Sequence, residues 1–197
     1  MFFREKCLLR AALVFVLMTV TIAFAQTEQA EIGHAALPNG SEVSYRIRLL
    51  PLESFPQLPA SAANTLREKH CMVPQTYEAH EPENVIHGAF EKKGSSDWAV
   101  LCAVNGTTTL YAFFASQPEM PVTIRHQQDD KWLGSEQPGV YGSAWGITTR
   151  HAGQPGKALH GATFDHDSIE DAFVEKSSTS RYFQNGEWTV LNNGDQK

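Results

Sequence analysis

The sequence predicts an α+β domain, mainly antiparallel β, with a sandwich- or barrel-like sheet and one helix pinned by a disulfide. Three observations carry this. Strand-like runs recur along the chain, and two pairs of them flank the hairpin signal Asn-Gly, at Asn105-Gly106 and Asn185-Gly186. A single clear stretch of strong helix formers occurs, at 59–69. Two cysteines, Cys71 and Cys102, remain once the N-terminal segment is set aside. The 197 residues, 42% hydrophobic and 19% charged, suit one globular domain and are too few for a full propeller of four-stranded blades.

The N-terminal segment reads as a secretory signal peptide. Arg4, Lys6 and Arg10 precede an apolar run from Ala11, and Ala23 and Ala25 supply the small residues of a cleavage site. The run from Ala11 to Ala25 is shorter than the roughly 20 residues that span a bilayer, so no stable membrane anchor is expected after cleavage. Cleavage after Ala25 removes three basic residues and one acidic residue and moves the net charge from −6 to −8. An acidic exported domain without a dense basic cluster is a poor fit for nucleic acid. The expected organisation is a signal peptide at 1–25, a flexible lead-in at 26–40, a single globular domain at 41–192 and a frayed tail at 193–197.

The elements follow in order. In 41–49, Val43, Tyr45, Ile47 and Leu49 alternate with Ser44, Arg46 and Arg48, the pattern of a half-buried strand. Pro59 suits the first turn of the helix, which ends near His70 and delivers Cys71 to the sheet. Near-continuous apolarity over 98–103 predicts a strand buried on both faces, followed across Asn105-Gly106 by a second strand at 107–114. A short strand at 121–126, a polar loop at 127–137 and a return to β at 140–148 come next. The last hairpin runs 177–183, turns at Asn185-Gly186 and returns through 187–191.

In an oxidising compartment two cysteines normally pair, which predicts Cys71 bonded to Cys102. Closing a loop of about 31 residues should contribute roughly 3 to 4 kcal/mol in the chain-entropy model.

Two stretches invite comparison with each other, since each sets an aspartate just before an apolar strand. Gly88, Phe90, Gly94, Asp97 and the strand from Trp98 to Val100 resemble the FG-GAP motif of integrin-type repeats. The stretch 165–174 resembles the calcium-loop part of that motif. The resemblance implies Asp165, Asp167 and Asp171 as carboxylate ligands with the Ile169 carbonyl between them, a donor set that suits calcium. Ser168 stands where the family has Gly, and Lys92 and Lys93 replace ligands in the first loop, which is expected to be metal-free. The same residues also read as a helix start, with Asp167 capping and Glu170 three residues on. More broadly, Cys71-Met72-Val73-Pro74-Gln75 and Asp97-Trp98-Ala99-Val100-Leu101-Cys102 resemble segments of a family of uncharacterised exported bacterial proteins, which implies a common fold without an activity.

Motifs of catalysis are sparse. His80 and His87 lack the spacing of a helical zinc motif, and Pro82 lies between them. No Gly-x-Ser-x-Gly elbow and no complete phosphate loop occur. The reading that follows is an exported, periplasmic or extracellular, non-catalytic binding or interaction module, with calcium as its one candidate cofactor. Its partner would be an envelope glycan or another secreted protein, and Trp132, Trp145 and Trp188 are the candidate ligand platforms. A metal-assisted envelope hydrolase using His160, His166 and Asp167 is the second reading, and a structural envelope component is the third.

Overall fold

A computed structural model describes residues 27–153 and 164–195. The segment read as a signal peptide, 1–25, and His160 lie outside them. Strands β1 (Gln29–Ala36), β2 (Glu42–Leu50), β3 (Val73–Pro74), β8 (Leu133–Gln137) and β9 (Val140–Ser143) build the first sheet, in the order β1-β2-β9-β8 with β3 beside β2. The second sheet is the meander β4 (Val85–Gly88), β5 (Asp97–Val104), β6 (Thr107–Phe113) and β7 (Val122–Gln128). The third is the meander β10 (Trp145–Arg150), β11 (Ser168–Phe173), β12 (Ser177–Gln184) and β13 (Glu187–Asp195). All pairings are antiparallel except that of β2 with β9, which is parallel at Tyr45 and Tyr141. The mainly antiparallel α+β class thus holds, with the strands shared among three sheets.

The one α-helix among the described residues, α1 (Ala60–Glu68), begins after Pro59 and ends in a Schellman motif. His70 takes a left-handed φ of 57°. Its amide donates to the Arg67 carbonyl, and the Cys71 amide reaches back to that of Leu66. The turn aims Cys71 at the sheet, where it is bonded to Cys102 of β5 with their Cα atoms 5.3 Å apart. Leu66 of α1 is fully buried, which is worth roughly 1.5 to 3 kcal/mol.

Strand β5 explains its own composition. Val100 and Cys102 face the helix with Phe55, Leu58, Leu66 and Phe113. Ala99 and Leu101 face the other way, into a cluster with Phe90, Leu110, Trp145 and Ile169. Apolar residues at successive positions are what a strand with two buried faces requires. Both Asn-Gly pairs carry two consecutive positive φ values, 51° and 76° at Asn105-Gly106 and 54° and 85° at Asn185-Gly186, the geometry of two-residue hairpins.

Several expectations are corrected. The segment read as a lead-in, 26–40, contains β1, paired with β2 from Gln29 to Ala36. The segment read as a loop, 127–137, contains a 3-10 turn at Asp129–Lys131 and then β8. The helix start read at 167–170 gives way to β11, because both flanks of that stretch are taken up by antiparallel neighbours, β10 and β12. The tail read as frayed from 193 carries β13 on to Asp195.

Buried polar side chains join the three sheets. Asn84, 1% exposed, adopts a φ of 69°, a region in which Asn is among the better-tolerated residues. Its Nδ2 donates to the Pro74 carbonyl of the first sheet at 2.7 Å and to the Trp145 carbonyl of the third at 3.2 Å. Its Oδ1 accepts the Ile147 amide at 3.0 Å, and its backbone carbonyl accepts the Leu101 amide of the second sheet at 3.0 Å. Gln75 supplements it, donating to the Val73 and Glu83 carbonyls and accepting the Glu83 amide. Replacing Asn84 with Ala should therefore lower unfolding stability in urea by about 3 kcal/mol or more, since several buried groups lose partners together. Removing the Cys71–Cys102 bond by double substitution to Ala should cost roughly 2 to 5 kcal/mol in the same measurement.

Candidate functional site

The sequence-predicted aspartates go to separate tasks. Asp165 accepts from the Tyr182 hydroxyl and lies 2.6 Å from Nδ1 of His166, and these contacts hold its carboxyl below the usual range. Asp167 closes a junction between sheets: its carboxylate takes the Ala89 amide at 3.0 Å and the Ala152 amide at 2.8 Å. Burial pushes Asp167 upward, but those amides and His151 outweigh it and the carboxyl is held low. Asp171 is 2% exposed and accepts from Trp145 Nε1 at 2.7 Å, Arg181 Nε at 2.6 Å and Arg125 Nη1 at 3.3 Å. Ile169 is a core residue in the middle of β11. Among the described residues, no group of three or more His, Cys, Asp or Glu side chains is placed to hold a metal ion.

His166 is committed as well. Its Nε2 lies 2.9 Å from the Phe183 carbonyl, which can only accept, so that nitrogen is the donor. In the stretch 88–100 Asp97 is fully buried and takes the Glu91 and Ala115 amides at 2.7 and 2.8 Å, with the Ser95 hydroxyl beside them. It is a carboxylate that terminates a turn.

The tryptophans are packed rather than presented. Trp145 is 2% exposed. Trp132 is half-buried, its ring 5.2 Å from those of Trp145 and Phe173, with the Arg125 guanidinium 4.3 Å above it. Trp188 is half-buried against Phe114 and Phe183. Arg125 thus joins the Asp171 carboxylate to an aromatic stack whose last ring, Phe173, lines a groove.

That groove, about 720 Å³, is the strongest candidate site. Leu133, Tyr77, Tyr141 and Phe173 supply its apolar and aromatic lining, and Leu37 and Pro38 of the β1–β2 turn close one side. Asp130, Lys131, Glu175 and Lys176 bring charges of both signs to its surface. The seat for Tyr77 is built by a cross-strand pair of glycines, Gly134 of β8 and Gly142 of β9. A Cβ at Gly134 would meet the Tyr77 ring at less than van der Waals contact, so the ring lies where a side chain would otherwise stand.

Tyr77 reaches from there to Glu175, donating to its Oε2 at 3.1 Å. Burial, then that hydrogen bond, pushes the Tyr77 hydroxyl well above its ordinary value. Glu175 has a left-handed φ of 62°, which costs a non-glycine residue roughly 1 to 2 kcal/mol. Strain of this kind tends to gather at functional positions. Lys176 completes the turn with its ammonium 4.1 Å above the Phe173 ring.

Behind the Asp130–Lys131 wall lies a second unusual group. Asp129 is 6% exposed, and its Oδ2 is buried with no hydrogen-bond partner. Burial, with the Glu31 carboxylate adding to it and Thr108 partly offsetting it, lifts Asp129 to about 7. Glu31 accepts from the Tyr45 hydroxyl at 3.1 Å, and burial and Glu31 push that hydroxyl up to about 12.

None of the groove residues stands out in the sequence. The one usable signal is the glycine pair with a tyrosine upstream, and it acquires meaning only once the register of β8 on β9 is known. No family model, curated protein or solved structure matches the chain. The geometry beneath the groove gives a direct test. Asp171→Ala leaves Arg181 buried without its carboxylate and should cost about 3 to 5 kcal/mol of unfolding stability. The loss is read by chemical denaturation.

Proposed function

We propose that this protein is an exported binding module that seats an amphipathic ligand, an envelope oligosaccharide, in the groove beside Tyr77. The observation that carries the reading is the groove itself, with tyrosine rings and aliphatic side chains inside and carboxylates and ammonium groups around it. Sugars have apolar C–H faces that stack on aromatic rings and hydroxyls that need both donors and acceptors. The tyrosines meet the first demand, and Asp130, Glu175, Lys131 and Lys176 meet the second. The strained Glu175, tied to Tyr77, supports the same position, since a costly backbone conformation beside a cavity is the kind that function retains.

Export is supported by the signal-like N-terminal pattern and by the Cys71–Cys102 disulfide, which suits an oxidising compartment. Among the described residues, no helix is long and apolar enough to cross a membrane.

The test is a screen of the mature, oxidised protein against envelope oligosaccharides, followed by calorimetry on those retained. Tyr77→Ala should weaken binding about tenfold, the equivalent of ~1.4 kcal/mol. Gly134→Val, which drives a side chain into the tyrosine's seat, should do the same or more. Binding that is indifferent to both variants would place the ligand elsewhere, and retention of no glycan would overturn the oligosaccharide reading.

A further inference from the structure

We propose that Glu31 and Asp129 form a proton-held clasp that fastens strand β1, and with it two walls of the groove, so that rising pH loosens the site. The clasp stands on its own geometry; its effect on ligand binding rests on the groove being the binding seat.

The argument begins with placement. Asp129 opens the 3-10 turn Asp129–Lys131, and its amide donates to the Gly106 carbonyl at 3.0 Å, so the residue is tied to the β5–β6 turn. Glu31 comes from β1, and its Oε1 lies 3.8 Å from where a Cβ on that same Gly106 would stand. Two carboxyl groups from elements far apart in sequence thus meet over one turn. Facing Asp129 are Glu31 of β1 and the uncharged Thr108 of β6. Tyr45 of β2 stands behind Glu31 and bonds to it. On the turn itself, Lys131 is paired with Asp130 at 3.0 Å.

Asp129 is buried and Glu31 half-buried beside it, and two adjacent acids so placed cannot both ionise cheaply. With one proton between them, the pair is compatible with burial. When the proton leaves, the Asp129 Oδ2 becomes a buried anion without a hydrogen-bond partner, beside a second anion. Asp129 is anchored, whereas β1 is an edge strand paired with β2 alone in its sheet. Relief therefore comes from β1 moving away.

The connection to the site is covalent on both sides. Strand β1 runs directly into Leu37 and Pro38, which close one side of the groove, and Asp129 runs directly into Asp130 and Lys131, which form another.

The sign follows from the raised value of Asp129. The native state keeps a proton that the unfolded chain loses near the ordinary value of 3.8, so this stabilisation is complete below that pH. It is lost as pH rises through about 7.

Hydrogen exchange read by mass spectrometry, on the mature protein without ligand at about pH 6 and about pH 8.5 and corrected for intrinsic rates, tests the clasp. Peptides covering 29–36 in the unmodified protein should lose about tenfold of their protection at the higher pH, as each unit between the ordinary and the raised value of Asp129 is worth a factor of ten and about one such unit lies above pH 6. In Asp129→Asn that loss should vanish, and in Glu31→Gln, which leaves Asp129 buried but removes the neighbouring charge, it should shrink. Equal protection at both pH values in the unmodified protein would overturn the proposal, as would a loss that persists in both variants. Restoration of protection at the higher pH by millimolar calcium would also overturn it, by making the pair a cation site. Because no ligand is used, failure of the oligosaccharide reading leaves this experiment intact, and the converse also holds.

Discussion

One carboxamide holds the three sheets in register with one another. Asn84 is placed where β3, β5 and β10 come together, and it offers what few side chains can: a donor pair, an acceptor and tolerance of a left-handed backbone. Its partners are main-chain groups that sheet pairing leaves unsatisfied at the junctions. Gln75, Asp97 and Asp167 apply the same solution at neighbouring seams, each spending a polar side chain on amides or carbonyls at the end of a strand. A molecule made of three small sheets has many strand ends. These residues are how it supplies partners to backbone groups at those ends.

The apolar core is organised around the same seam. β5 gives one face to the helix and the other to the third sheet, so the two largest clusters are separated by a single strand. The Schellman turn and the disulfide fix the helix against one face, while Asp171 with Trp145, Arg125 and Arg181 makes a polar insertion into the other. From there an aromatic stack runs out through Trp132 to Phe173 and the groove. The groove is thus carried by well-packed elements, while its sides are formed by turns.

The sequence was informative where a local rule decided the outcome. Two Asn-Gly turns, the continuous apolar run of β5 and the alanine-rich helix each announce themselves within a few residues, and the disulfide follows from the cysteine count once export is assumed. β1 escaped because an edge strand buries little: Ala35 is its one buried residue, and its small and polar neighbours look like a linker. β8 escaped because glycine and serine stand where a strand usually shows β-branched residues, and a register shift interrupts its pairing with β9. At the site, spacing grouped Asp165, Asp167 and Asp171, but spacing along a chain says nothing about what lies opposite in the sheet. For Asp171 the neighbours include two arginines, and for Tyr77 they include two glycines. Both facts belong to register and tertiary contact.

The parallel pairing of β2 with β9 bears on how the chain reaches this structure. Tyr45 and Tyr141 meet across the entire second sheet, which intervenes in sequence. A chain released from its N-terminal end therefore exposes the β1–β2 hairpin as an incomplete sheet until most of the molecule has emerged. Non-local closure of this kind is slow because loop entropy is spent before contacts return it. The first sheet closes only once β8 and β9 have emerged, and until then the edge of β2 is unpaired strand of the kind that chaperones cover.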